Sequence, residues 1–562
     1  MSDVLEGLNA SQREAVLTID RHVLVAAGPG TGKTLAIVRR ISHLICSGVT
    51  PADILAVTFT NRAAQEMRER VRGFMGAEGD GVFIGTLHLL GLRMLRDSGF
   101  EPTICAGEEQ VRMVESAASS SANAARRMIE KISRVKGLVE APDEETARVL
   151  DAYQRMLREK GMCDFDDLIA MPFDVLEAGK VAYDFRHIIV DEYQDISPAQ
   201  YRLLRRLAGD RARVCAVGDS DQAIYGFRGA DIRNFLNFSE DYGDVALVVL
   251  KQNYRSTKVI VDAAGALIRN NRHRIEKELE ATGEFGKPVD IVSVTDERAE
   301  AHVIVREIEA RMGGTSFYRL SRQTAPTGFS EGTYCFSDFA VLFRTNGQAK
   351  VLQEAFLEWG IPCQVLAEKG PLRLKALIEE VRAYTERQET DDLDLEGVMA
   401  RVSNGASLSA AEQGILTNLI AAYKDLPLEA ALGRVIDELS VVGAADVFDP
   451  RGDAVALMTL HMAKGLEFKV VFVAGVEEGL LPLLLGKEEP DIEEERRLLY
   501  VGMTRARVEL LLTCARSRFL YGRALSGSPS PFLSEIPVEL VRTESLPDKP
   551  RKKGGKQMGL FG

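Results

Sequence analysis

HVLVAAGPGTGKTLAIVRRISHLI, residues 22–45, reads as strand, glycine loop and amphipathic helix in one unbroken run. Glycines at Gly28, Gly30 and Gly32 let successive backbone N–H groups turn inward around a polyphosphate. The helix N-terminus adds its partial positive charge. Lys33 is placed to reach the outer phosphates, and the Thr34 hydroxyl suits Mg²⁺. The candidate nucleotide set is therefore Ala27, Gly28, Pro29, Gly30, Thr31, Gly32, Lys33 and Thr34. Ala27 stands where the GxxxxGK[ST] pattern has its first glycine, so the strict form is not met. The strand before and the helix after carry the reading over an ordinary glycine turn.

HIIVDEYQD (187–195) supplies the partner. Four apolar residues bring the chain to a strand end, where Asp191 and Glu192 emerge. Asp191 suits Mg²⁺, and Glu192 suits orienting and deprotonating an attacking water. Alone, such a pair is usually a solvated turn. With the glycine loop upstream it favours hydrolysis of the nucleotide over simple binding.

Around these two runs lie further short, near-continuous apolar stretches: ILAVTFT (54–60), RVCAVGD (213–219) and VALVVL (245–250). A second set follows: VDIVSV (289–294), FAVLFR (339–344), CQVLA (363–367), VALMTL (455–460), VVFVAG (470–475) and ELLLTCA (509–515). Continuous rather than alternating apolar character predicts parallel strands covered on both faces. The expected fold is α/β, with two tandem cores and helical insertions. Residues 1–88 and 181–257 are assigned to the first core, with a helical insertion over 89–180. Residues 258–372 and 451–540 are assigned to the second core, with a reduced helical insertion over 373–450. The run 313–334 reads as a long polar loop. The tail 541–562, with six Lys/Arg against two Asp/Glu, reads as disordered and basic.

Hydrophobic residues at 46% and charged residues at 27% make a normal soluble globular balance. No apolar run spans a bilayer, and the N-terminus lacks a basic-then-apolar signal layout. Seven cysteines (Cys46, Cys105, Cys163, Cys215, Cys335, Cys363 and Cys514) form no CxxC pair, which argues against a zinc site and for a reducing, cytoplasmic setting. The net charge of −13 does not exclude nucleic acid, because total charge does not describe a local groove.

DEYQD is followed by VGDSDQAIYGFRGA (217–230) and QNYRST (252–257), then by MTLHMAKGLEF (458–468) and EERRLLYVGMTRA (494–506). LNASQREAV (8–16), LAVTFTNRAAQEM (55–67), GTLHLLG (85–91) and FRTN (343–346) fit the same series. In this order the runs resemble the motifs of UvrD/Rep/PcrA-like superfamily 1 DNA helicases, over about residues 8–520. The resemblance implies that the two cores are tandem RecA-like P-loop cores, and it implies an ATP-dependent 3′-to-5′ helicase or translocase on single-stranded and tailed duplex DNA, acting in repair or alongside replication. It implies that Gln12 reads adenine, Tyr254 stacks on it and Glu467 contacts the ribose. Gln222 would sense the γ-phosphate, with Arg255 and Arg505 as arginine fingers. Phosphoryl transfer needs mainly positioned charge. An Arg from each core would therefore tie hydrolysis to closure. The implied DNA track is Phe59, Asn61, His88, Tyr225, Phe227, Arg228, Arg344 and His461. Aromatic faces hold unstacked bases without regard to sequence.

Three departures stand out. Phe227 stands where the family has Trp, and Leu483 where it often has His. Only about 110 residues separate FRTN from MTLHMAKGLEF, so the accessory insertion is reduced. The chain ends KQMGLFG, in which Gln557, Met558, Leu560 and Phe561 resemble a peptide that docks into the bacterial sliding clamp. Two alternatives remain open. One is a translocase that strips proteins from single strands with little unwinding. The other is a slowly hydrolysing nucleotide-dependent switch or scaffold. A helicase-nuclease is disfavoured, since no acidic nuclease core follows residue 520.

Overall fold

The computed structural model describes residues 3–313, 334–366, 377–381, 383–384, 393–403, 408, 410–440, 442, 448, 452–484 and 490–545. The chain forms two compact units. One gathers the described residues of 1–255, 273–280 and 367–449, the other those of 256–272, 281–366 and 450–562.

The first unit is built on strands β1 (His22–Ala27), β2 (Ile54–Val57), β3 (Phe83–Gly85), β4 (His187–Val190), β5 (Arg213–Gly218) and β6 (Val245–Leu250). They form one sheet in the order β3-β2-β4-β5-β1-β6, with parallel pairings throughout. Successive strand residues serve opposite faces. Val23 and Val25 of β1 join Ile54, Ala56, Cys215 and Val217 in one core, while Leu24 joins Leu55, Val57, Ile188 and Val214 in another. Helix Lys33–Cys46 lays Ile37, Val38, Ile41 and Leu44 on the first face. Each such side chain stabilises by about 1.5–3 kcal/mol when fully buried. Helices Leu87–Asp97, Asp167–Glu177 and Pro198–Ala208 cover the other face. This two-sided cover is why the strands read as continuous apolar runs.

The second unit repeats the plan with β7 (Val289–Asp296), β8 (Phe339–Phe343), β9 (Cys363–Val365), β10 (Val455–Thr459), β11 (Phe468–Ala474), β12 (Ala506–Leu520), β13 (Arg523–Ser526) and β14 (Val541–Ser545). The order is β9-β10-β8-β11-β12-β7-β14, with β13 antiparallel to β12. The turn between β12 and β13 puts Tyr521 and Gly522 at positive φ, 51° and 77°, as a tight hairpin turn requires.

The structure redraws three boundaries. Val541–Ser545, assigned to the disordered tail, pairs in parallel register with β7, from Val289 opposite Val541 to Ser293 opposite Ser545. Its mixed sequence VRTES hid it, because an exposed edge strand needs little apolar content. The rest of the tail, including the clamp-like residues 557–561, lies outside the described residues. Residues 273–280, assigned to the second core, pack in the first unit. The described part of 367–449 also packs there. Its helices Leu395–Ser403, Ala410–Tyr423 and Leu428–Ser440 share a core of their own. Glu438 on the last of these pairs with Arg68 of helix Asn61–Met75 at 2.6 Å.

Candidate nucleotide and nucleic-acid sites

The carboxyl ends of adjacent strands in the first sheet carry the candidate residues, which is where open parallel sheets bind ligands. β1 ends at Ala27 and runs through Gly28, Pro29, Gly30, Thr31 and Gly32 into the helix beginning Lys33-Thr34. Gly30 and Gly32 have φ of 67° and 82°, a region that costs other residues about 1–2 kcal/mol. A Cβ on Gly30 would stand 2.5 Å from Arg255 Cβ, and one on Gly32 2.6 Å from Gln12 Nε2. The glycines are therefore needed for close approach as well as for dihedral freedom. The Thr31 hydroxyl donates to the Gly28 carbonyl at 2.8 Å. The Asn253 amide donates to the Pro29 carbonyl at 2.7 Å, and the Tyr254 N–H to that of Gly30 at 2.9 Å. These bonds leave a loop whose shape is fixed before any ligand arrives.

Gln12 is buried, with its amide donating to the Thr31 carbonyl at 3.0 Å. Asn9 caps the helix that holds it and donates to the Tyr254 hydroxyl at 2.9 Å. The Tyr254 side chain is exposed. Gln12 and Tyr254, adjacent in the expected adenine site, are thus joined through one asparagine.

β4 ends at Val190, and Asp191 donates its N–H to Val57 at 2.9 Å. Glu192 has φ 51°, a left-handed conformation uncommon outside glycine, and such outliers cluster at working sites. Its carboxylate meets Lys33 Nζ at 3.2 Å and accepts from the Gln194 amide. Gln194 Oε1 in turn accepts from the Asp219 N–H at 3.0 Å, at the end of β5. Gln222 donates to the Asp219 carboxylate at 2.6 Å. Lys33, Glu192 and Gln222 are therefore linked through Gln194 and Asp219, neither of which was singled out from sequence. Asp219 lay in plain view inside VGDSDQ, but nothing in that run signals that its acid holds a glutamine.

The aromatic candidates form a second group beside this one. Phe59, just past β2 and 41% exposed, stacks on Tyr225 with ring centres 5.0 Å apart and planes 20° apart. Core packing, the ordinary alternative for Phe59, does not describe a ring so exposed. Tyr225 lies 6.2 Å from Phe227, which is 54% exposed, and the Arg228 guanidinium stands over both rings at 5.6 and 5.5 Å. Asn61 opens the helix that follows Phe59 and is buried. His88 packs edge-on to Phe165 at 6.2 Å, and burial pushes its pKa down to about 4.

Arg255 lies beside the glycine loop, and the remaining candidates belong to the second unit. Arg255 follows Asn253, whose side chain accepts the Arg255 N–H at 2.9 Å. In the second unit, Arg505 is buried and its guanidinium donates to the Val501 carbonyl at 2.9 Å and the Leu466 carbonyl at 3.2 Å. Glu467 pairs with Arg507 at 3.6 Å. Arg344, expected on DNA, forks the Glu495 carboxylate at 3.2 and 2.7 Å. His461 is half-buried in the turn after β10. Among the described residues no His/Cys/Asp/Glu group has a metal-site arrangement. Among the described residues no helix is long and apolar enough to cross a membrane.

Residues 8–243 match the UvrD/REP helicase N-terminal domain, and residues 248–386 and 374–517 match the UvrD-like helicase C-terminal domain. The chain belongs to the UvrD/Rep helicase family. It is 31% identical to the ATP-dependent DNA helicase PcrA of Staphylococcus epidermidis, over 96% of this chain and 88% of that protein. It is 30% identical to the protein of that name from Staphylococcus aureus, over 97% and 88%. The first alignment runs over 660 positions, so this UvrD-like helicase lacks residues that the longer relative carries.

Proposed function

We propose that this UvrD-like helicase is an ATP-driven motor that moves 3′-to-5′ on single-stranded DNA and unwinds tailed duplexes in repair or replication-associated work. One observation carries the coupling. The loop that leaves β5 binds Gln194, and through it Glu192, by the Asp219 N–H, holds Gln222 on the Asp219 carboxylate, and three residues after Gln222 becomes Tyr225, stacked on Phe59. A change in phosphate occupancy at Glu192 and Gln222 is thus carried by a few bonds to the exposed rings.

The residues fit ATP. The glycines of 28–32 let the loop pack tightly against Leu279, Arg255 and Gln12, where a Cβ would collide, and Lys33 supplies charge for the outer phosphates. Thr34 and Asp191 have the hard oxygens that Mg²⁺ prefers, and the ion would neutralise charge on the transferred phosphoryl group. Lys33 now holds Glu192, and a polyphosphate would compete for that ammonium, leaving Glu192 to orient the water. Gln12 and Tyr254 would receive adenine, and Glu467 the ribose. Arg255 and Arg505 would act as fingers, Arg505 after leaving its present carbonyl partners. Phe59, Tyr225, Phe227 and Arg228 would form the grip on DNA, assisted by Asn61 and His88, with Arg344 and His461 contributing from the second unit. Gln557, Met558, Leu560 and Phe561 would tether the motor to a sliding clamp.

The second reading, a translocase that strips bound proteins with little unwinding, is favoured by Phe227 in place of Trp and by the short accessory insertion. Unwinding of 3′- and 5′-tailed duplexes, measured beside displacement of a protein from single strands, tests both. The motor reading expects 3′-tail dependence. Equal unwinding from either tail would contradict the polarity. Displacement without unwinding would select the second reading.

A further inference from the structure

Residues 273–280 return to the first unit although 256–272 before them and 281–366 after them belong to the second. This short strap carries a buried cation. The Lys277 side chain is 1% exposed, and its Nζ lies 2.6 Å from Asp219 and 2.6 Å from Asp221. Arg274 forks Asp221 at 2.9 and 2.8 Å, so two cations balance two carboxylates. The Ile275 N–H donates to Ser220 Oγ at 3.0 Å, and the Glu280 N–H to the Lys251 carbonyl at 2.9 Å. The Leu279 side chain fills the space that a Cβ on Gly28 would need, at 2.6 Å.

We infer that Lys277 is a positioning residue for ATP hydrolysis, which it serves by holding the Asp219 carboxylate in place and so setting the orientation of the Gln222 amide. This rests on the proposed roles of Gln222 and Glu192. The chemistry is specific. An ionised carboxylate only accepts hydrogen bonds, so Gln222 must turn its NH₂ toward Asp219 and carry its carbonyl on the opposite side. A buried carboxylate is costly unless a cation compensates its lost hydration. Lys277 is that cation, while Arg274 is engaged on Asp221. The same Asp219 supplies the N–H that holds Gln194, and Gln194 holds Glu192. One ammonium therefore sets the geometry of both the γ-phosphate sensor and the water-orienting acid, without touching substrate.

The test is steady-state ATP hydrolysis by the full chain with oligo(dT), separating kcat from KM for ATP. The variants are Lys277→Met, Gln222→Ala and the double variant Lys277→Met with Asp219→Asn. Lys277→Met should lower kcat at least about tenfold while KM moves less than about threefold, the signature of lost transition-state geometry. In the double variant the side-chain amide introduced at position 219 offers a neutral acceptor to Gln222, and kcat should rise several-fold over the single variant. A folded Lys277→Met enzyme with kcat within about twofold of wild type would overturn the inference. So would a double variant no faster than the single one. Should Lys277→Met fail to fold, the double variant, which buries neither charge, decides: kcat above that of Gln222→Ala supports the inference, and kcat equal to it refutes it. Wild-type kcat in Gln222→Ala would instead remove the role of Gln222, and the inference with it.

Discussion

Replacing Phe59 by Ala separates grip on DNA from stability of the fold. The ring is 41% exposed and one face is covered by Tyr225, 5.0 Å away and 20° from parallel. The phenyl group thus extends a stack whose next member would be a base. Base–aromatic stacking contributes about 1–3 kcal/mol per base, which is about five- to 150-fold in affinity. The loss to stability is smaller than for a core phenylalanine, since much of the ring already meets water and no cavity closes around it. Titration of a fluorescent oligo(dT) into Phe59→Ala should show Kd raised at least fivefold with an unchanged slope of log Kd on log salt, because no phosphate contact is lost. ATP hydrolysis without DNA should be unaltered. Binding within twofold of wild type would refute the reasoning, and so would a parallel loss of DNA-independent hydrolysis.

Further outcomes follow from other parts of the structure. Gly32→Ala places a Cβ 2.6 Å from Gln12 Nε2 at φ 82°, so KM for ATP should rise at least tenfold; an unchanged KM would mean the loop does not approach nucleotide closely. His88 ionises at about 4 in the folded chain because of burial, against about 6.5 unfolded. Its contribution to stability is therefore present above pH 6.5 and is lost as pH falls from there toward 4. His88→Asn should flatten the dependence of the urea midpoint on pH in that window, and an unaltered slope would remove the burial argument. Deleting the five residues from Gln557 to Phe561 should abolish binding to immobilised sliding clamp while leaving oligo(dT)-stimulated ATP hydrolysis intact.

Much of this architecture is legible in the sequence because both sheets are parallel and doubly covered. HVLVAA, HIIV and FAVLF are apolar at nearly every position, which no half-exposed strand permits. The elements that escaped notice are too short or too exposed to make an apolar run. Phe83–Gly85 is three residues long, and Val541–Ser545 lies on an edge with four exposed residues of five. Within the site, glycines, Lys33, Asp191 and Glu192 are readable because the chemistry restricts what can stand there. Gln194, Asn253 and Lys277 are not, since their roles consist of contacts across the fold. Lys277 sits in NNRHRIEKELE (270–280), a charged run that looks like solvated surface, yet its side chain is 1% exposed. No local pattern announces that a lysine will be buried between two aspartates 56 and 58 residues earlier in the chain.

The central claim is that Lys33 and Glu192 hydrolyse ATP at a rate governed by DNA on the neighbouring aromatic rings. Steady-state hydrolysis with and without oligo(dT), in wild type and Glu192→Gln, tests it most directly. The account predicts strong stimulation of wild type by oligo(dT), and in the variant a kcat lower by about 10²-fold or more with ATP still bound. Wild-type hydrolysis indifferent to DNA, or a Glu192→Gln variant as fast as wild type, would contradict it.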